Sequence, residues 1–199
     1  VINKNNMKHF SDYIDGWFNY ADLYEDIVKD FKGEHGTFVE VGVWLGKSLS
    51  YLGVEIINSG KNIDLWCVDT WKGSKEHNTL EKVGSHEAFN ALQKGEMFEL
   101  FLTKISPIKH IIKPVKSTSI EAAKTFLDDS IDFLFLDASH EYLDVIDDLI
   151  SWYPKIKNGG VLAGHDYDWE QVKSAVDVFC KIKEVTVMPK SNTSWIINK

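Results

Sequence analysis

Thr37-Phe38-Val39-Glu40-Val41-Gly42-Val43-Trp44-Leu45-Gly46-Lys47-Ser48 moves from one kind of secondary structure to another. Its first part, Thr37–Gly42, is rich in β-branched and aromatic residues, which suits a buried strand. Gly42 and Gly46 let the chain turn tightly and bring backbone N–H groups close to a ligand. From about Lys47 to Ile57 the pattern becomes helical. A buried strand feeding a helix through a glycine turn opens an α/β sheet, in which ligands bind at the carboxyl ends of the strands.

The same unit recurs downstream. Strands are predicted at Ile63–Asp69 (IDLWCVD), His110–Val115, Ile131–Asp137 (IDFLFLD) and Val161–Asp166. Helices are predicted at Ser85–Leu102, from about Thr118 or Ser119, at Tyr142–Tyr153 and at Glu170–Lys181. Apolar strands alternating with helices imply a parallel sheet covered on both faces, with right-handed crossovers. Upstream, apolar residues at helical spacing from Ser11 to Phe31 predict an amphipathic helix capped by Ser11 or Asp12 and stopped by Gly33 and Gly36. At the other end, Glu184–Met188 and Thr193–Ile197 stand at hairpin spacing. The expected fold is therefore α/β, Rossmann-like and doubly wound, with a mostly parallel seven-stranded sheet ending in an antiparallel hairpin. A single domain over residues 1–199 is expected, with an N-terminal helical extension at 1–33 and the core at 37–199.

Composition narrows the partners. The chain has 199 residues, 22 Lys+Arg against 30 Asp+Glu and a net charge of -8, which disfavours nucleic acid and anionic membranes in the absence of a basic patch. The stretch of roughly 18 apolar residues that a membrane helix needs is missing, and a cytoplasmic location is expected. Cys67 and Cys180 lack metal-ligand spacing and read as buried free thiols.

Chemistry-bearing residues fall at successive strand ends. The glycine turn carries Glu40, and the second strand ends in Asp69, where an acid accepts ribose hydroxyls or caps the following turn. The spacing G-x-x-x-G departs from the G-x-G-x-x-G of pyrophosphate binders, and Trp44 sits where a dinucleotide needs a small residue. An acid at Glu40 suits a cationic amino-acid ligand better than a diphosphate. The fourth and fifth strands end in Asp137-Ala138-Ser139-His140-Glu141 and His165-Asp166-Tyr167-Asp168, a set able to bind a divalent metal or to form a hydrogen-bonded structural cluster.

Taken in order, VEVGVWLGKS, CVDTWKG, IDFLFLDASHEY and PKIKNGGVLAGHDY resemble the class I S-adenosylmethionine-dependent methyltransferases, nearest the macrocin and aminocoumarin sugar O-methyltransferases. The likeness spans about Thr37 to Phe179. It implies that the stretch Glu40–Gly46, with Glu40, Gly42, Trp44 and Gly46, lines the methionine part of the cofactor, and that Ser48 also binds the cofactor. It further implies that Asp69 binds the ribose, that Ser117 and Thr118 flank the adenine, and that Thr70, Trp71, Asp137 and Ala138 also contact the cofactor. Magnesium or manganese is implied at Asp137, His165 and Asp166, although His165 stands where the family has an acid, which favours manganese, iron or zinc over magnesium. The family's presumed base falls on Ser139, so His140 is the candidate base, with Asp137 as its catalytic companion.

A small hydroxylated acceptor, a sugar or phenol, is the expected substrate. Two other readings stand beside it: a cofactor-binding protein without catalysis, and an iron-dependent oxygenase using His140, His165 and Asp166. The loop Thr70–Gly84 is long enough to serve as a lid, with Trp71, Lys72, His77 and His86 as candidate substrate contacts. The aromatics Tyr13, Trp17, Phe18, Tyr20 and Tyr24 of the N-terminal helix suit core packing, an acceptor wall or a homo-oligomer surface.

Overall fold

Alternate residues of the central strands enter different cores, and this fixes the layering. The computed structural model describes residues 7–74 and 79–199. In β1 (Gly36–Val41) Phe38 joins one core while Val39 and Val41 join the other, and in β4 (Ile131–Leu136) Phe133 and Phe135 part from Leu134 and Leu136 in the same way. The first core is completed by α1 (Ala21–Asp30), α2 (Lys47–Ser59), α3 (Leu80–Val83), α4 (His86–Lys94) and α5 (Met97–Lys104). The second is completed by α6 (Ser119–Ala123), α7 (Tyr142–Trp152) and α8 (Glu170–Lys183). Leu49, Leu52 and Leu149 are wholly buried, and each contributes roughly 1.5–3 kcal/mol relative to exposure.

Among the described residues, seven strands form one sheet in the order β3-β2-β1-β4-β5-β7-β6. β1 runs parallel to β2 (Ile63–Asp69) and to β4, β2 parallel to β3 (Ile112–Lys116), and β4 parallel to β5 (Ile156–Gly164). β7 (Trp195–Asn198) is antiparallel to both β5 and β6 (Val187–Pro189). The expected sheet with its antiparallel ending is therefore present. Both outermost strands carry a proline, Pro114 in β3 and Pro189 in β6. The chain winds outward from β1 through β2 to β3 and then returns to β4 on the other side of β1. Sheet order thus reverses between β1 and β4, and their carboxyl ends flank a natural crevice.

Several elements depart from expectation for local reasons. The N-terminal helix is not continuous: a 3-10 turn at Ser11–Tyr13 gives way to extended chain, Gly16 adopts φ +139, and helix begins only at Ala21. Lys61 Nζ donates to the carbonyls of Val28, Lys29 and Phe31 and so closes the end of α1. The helix expected over Ser85–Leu102 is divided at Gly95, whose left-handed conformation (φ +74) ends α4. Strand β3 starts at Ile112 because a 3-10 segment, Ser106–Ile111, occupies the preceding residues. Conversely β5 starts early, carrying Gly159 and Gly160 within a register irregularity opposite β4. Glu184 ends α8 in a left-handed conformation (φ +58), which shortens the following strand. Cys67 and Cys180 are buried and free, and among the described residues no helix is long and apolar enough to cross a membrane.

Candidate active site

The crevice between the carboxyl ends of β1 and β4 opens into a cleft of about 410 Å³, a volume typical of small-molecule sites. Gly42, Trp44, Asp69, Ser117, Asp137 and His140 are among the residues that line it, together with Thr70 and Ala138. A larger cavity of about 600 Å³ lies between α1 and the outer face of β4 and β5, lined by residues such as Asp26, Phe133 and Lys157, and it shares no residue with the cleft.

Asp69 organises the glycine turn. Its Oδ2 accepts from the backbone N–H groups of Val43 (3.0 Å) and Trp44 (2.9 Å), and its Oδ1 accepts from that of Trp71 (2.7 Å). Burial pushes its pKa up, against the pull of these backbone bonds. The residue therefore holds the turn that forms the cleft floor, and it also lines the cleft. Gly42 is required by packing: with φ +86, a Cβ there would lie 2.1 Å from the carbonyl oxygen of Asp137. Gly46 (φ +85) precedes α2, where a Cβ would meet Ile105 at 2.6 Å. Both glycines therefore bring strand ends and helices together, which keeps the cleft narrow.

At the other end of the cleft, Asp137, His140 and Asp166 bring their ligand atoms within 4.8 Å of one another. His140 Nε2 lies 2.9 Å from Asp166 Oδ2, and the half-exposed Trp169 ring packs against the imidazole with centroids 4.5 Å apart. Asp166 has φ +56 and sits between two imidazoles, since His165 Nδ1 is 3.1 Å from its Oδ1. Burial alone would raise the pKa of Asp166, but its bonds to His140 and His165 hold it well below the usual carboxylate range. For Asp137, burial outweighs the two histidines and pushes the carboxyl up to about 6. His165 itself rises: burial opposes its charge, but the Asp166 bond and the charge of Asp137 prevail.

His165, expected among the metal ligands, stands outside this cluster. Its Nε2 is shared by Asn19 Oδ1 (3.0 Å), the Asn192 carbonyl (3.0 Å) and Thr193 Oγ1 (3.1 Å), so the imidazole ties the N-terminal segment to the hairpin turn. His140 takes its place beside the two acids. Two carboxylates and an imidazole form a donor set that fits a divalent cation, and the cation would offset the cost of holding Asp137 and Asp166 close together. The imidazole shifts the preference from magnesium toward manganese.

Other predicted residues lie behind the cleft. Glu40 is wholly buried and faces the first core, where Ser48 Oγ donates to its Oε1 at 2.5 Å. The Tyr24 hydroxyl stands beside Glu40, yet neither it nor Glu40 Oε2 makes a hydrogen bond of regular geometry. Burial pushes Glu40 up to about 8, against the bond from Ser48 and the nearby Tyr24 hydroxyl. Gly46 and Ser48 are likewise buried, away from the lining. Trp71 is buried against Phe98 and Phe101, and its Nε1 donates to the Trp44 carbonyl. Thr118 caps α6, accepting from the backbone N–H of Glu121, while Ser117 and Ser119 face the cleft. Within the lid candidate, Gly73 and Ser74 reach the cleft, Lys72 is exposed and His77 lies outside the described residues, while His86 is exposed at the start of α4. Tyr20, named in the sequence only among the N-terminal aromatics, donates its hydroxyl to Asp137 Oδ2 at 3.0 Å, a contact the sequence did not reveal. The contact spans 117 residues and leaves no local signal.

A methyltransferase domain model matches residues 39–167, which include every strand end just described. The chain belongs to this methyltransferase domain family. Its resemblance to class I S-adenosylmethionine-dependent methyltransferases thus stands in both family and fold. An uncharacterised protein of Acanthamoeba polyphaga mimivirus is 26% identical over 160 residues, covering 78% of this chain and 64% of the relative, so the chain spans under two thirds of that relative's length. The O-methyltransferase NovP shares the fold with a TM-score of 0.66 at 17% identity, over 90% of this chain and 78% of NovP. CalS11, a TDP-rhamnose 3'-O-methyltransferase of calicheamicin biosynthesis, gives 0.58 at 14% identity over 89% and 77% of the two chains. Aeropyrum pernix fibrillarin, solved with natively bound S-adenosyl-L-methionine, gives 0.53 at 12% identity over 88% and 73%.

Proposed function

We propose that this methyltransferase-family protein methylates a hydroxyl of a small molecule, a sugar or a phenol, using S-adenosylmethionine. The observation that carries the reading is that Asp137 and His140 belong both to the cleft lining and to the acid–imidazole cluster, so methyl donor and acceptor would meet there. Bound in the cleft, S-adenosylmethionine supplies an activated methyl on a sulfonium that leaves as the neutral thioether. The chain would hold it between the Gly42–Trp44 turn and Ser117, with Asp69 at the ribose.

The protein's own work is alignment and proton removal. His140, held in the cluster by Asp166 at Nε2, would take the hydroxyl proton as the oxygen attacks. Asp137, at the junction of cleft and cluster, orients the hydroxyl. A second reading rests on the same cluster: Asp137, His140 and Asp166 would hold a divalent cation, which would lower the pKa of a bound hydroxyl. His140 then serves as ligand rather than base. The NovP and CalS11 likenesses support a hydroxylated acceptor.

Calorimetry with S-adenosylhomocysteine, followed by labelled-methyl transfer to a panel of sugars and phenols with manganese, magnesium or EDTA, tests the proposal. Transfer that survives EDTA selects the His140 base, and transfer restored only by a metal selects the second reading. Folded protein that gives no heat with the nucleoside overturns both. Binding without transfer to any acceptor favours a non-catalytic binding protein.

A further inference from the structure

The N-terminal segment, expected to pack in the core, wall the acceptor pocket or face another copy, reaches the acid–imidazole cluster through one side chain. At Gly16 a Cβ would lie 3.6 Å from Trp44, so the segment begins against the cofactor turn. It ends at the hairpin, where Asn192 Nδ2 donates to the Asn19 carbonyl at 2.6 Å and Asn19 Oδ1 meets His165. Directly after the second anchor, Tyr20 is 1% exposed. Its ring packs against Phe135 (4.6 Å), His165 (4.8 Å), Phe18 (4.9 Å) and Tyr24 (5.3 Å). A ring enclosed on so many sides has no freedom to swing, and its hydroxyl is aimed at one carboxylate oxygen.

The geometry points to Tyr20 as a positioning residue for Asp137, and this inference rests on the role proposed for Asp137 above. Packing alone asks only for a phenyl ring at this place. A buried hydroxyl is tolerated when it is paired, and here its partner is the one acid common to the cleft and the cluster. The bond fixes the rotation of the Asp137 carboxylate about its Cβ–Cγ axis and so sets which oxygen faces His140 and Asp166. Partners of this kind, one step behind a metal-binding or catalytic acid, typically change affinity or activity by about 10–100-fold when removed.

The test compares Tyr20→Phe with Tyr24→Phe, which loses a buried hydroxyl from the same aromatic group without touching Asp137. Manganese alone serves as the probe, its free concentration read by electron paramagnetic resonance with S-adenosylhomocysteine present. Tyr20→Phe should weaken manganese binding by about tenfold or more while nucleoside affinity holds, and Tyr24→Phe should match the parent. Equal manganese affinity in the parent and Tyr20→Phe overturns the inference. Crystal structures of the parent and Tyr20→Phe decide it even if the parent binds no manganese, an outcome that removes the metal reading alone. A rotated Asp137 carboxylate in the variant supports positioning by Tyr20, and an unchanged one refutes it.

Discussion

Replacing Glu40 with Gln removes one titration from the core while keeping the shape of the side chain. Glu40 is wholly enclosed, and its carboxyl is pushed from 4.5 up to about 8, chiefly by burial. At neutral pH the folded protein therefore carries a proton there that the unfolded chain has released. A proton on Oε2 also gives that atom a hydrogen to offer the neighbouring Tyr24 hydroxyl, while Ser48 serves Oε1. Because the folded state binds more protons, its stability falls as pH rises from about 4.5 toward 8, by about 1.4 kcal/mol per unit. Above the folded pKa the loss levels off. The Gln variant lacks this slope. Its stability relative to the parent should therefore improve by roughly 3–4 kcal/mol between pH 5 and pH 8, with titrations common to both proteins cancelling in the difference. Urea denaturation followed by tryptophan fluorescence at several pH values measures that difference. If the two proteins stay a constant distance apart from pH 5 to 8, Glu40 is not held neutral and the reasoning fails.

Asp69→Ala removes the acceptor for three backbone N–H groups and should weaken S-adenosylhomocysteine binding about tenfold or more, measured by calorimetry; an unchanged affinity contradicts its assignment to the cofactor. His140→Gln should lower turnover by about 10²–10⁴ and leave nucleoside affinity nearly intact, whereas a full-rate variant would exclude His140 as base or ligand. Gly42→Ala forces a Cβ to within 2.1 Å of the Asp137 carbonyl at φ +86, and should cost more than about 2 kcal/mol in denaturation; an unaltered melting curve would show that the turn relaxes freely.

The sheet was legible because each parallel strand is a short apolar run between polar ends, and burial on both faces leaves that mark in sequence. The hairpin was readable from two β-rich runs a few residues apart. Helix limits were less so: the apolar spacing from Ser11 to Phe31 continues through Gly16, whose φ of +139 ends any helix, because the aromatics there pack from extended chain instead. Gly95 divides the later helix by the same route. Within the site, Gly42, Trp44, Asp69, Thr70, Ser117, Asp137 and Ala138 follow from strand ends and line the cleft. The family resemblance put His165 in the metal set because it stands where relatives carry an acid, but its Nε2 is taken up by Asn19, Asn192 and Thr193 while Nδ1 meets Asp166, and His140 joins Asp137 and Asp166 instead. Glu40 looked like a ligand contact because it precedes the glycines, yet its place in the strand alternation sends it into the core with Phe38.

The prolines of β3 and β6 bear on how copies of the protein coexist. A β-ladder grows from a rim that offers a regular row of amide hydrogens, and a proline in each rim breaks that row. β6 also has just three residues and is followed at once by Lys190, whose charge would be trapped inside any added layer. Crowded molecules thus find no template on either flank for a continuous cross-strand fibre, and the sheet can stay wide without becoming sticky.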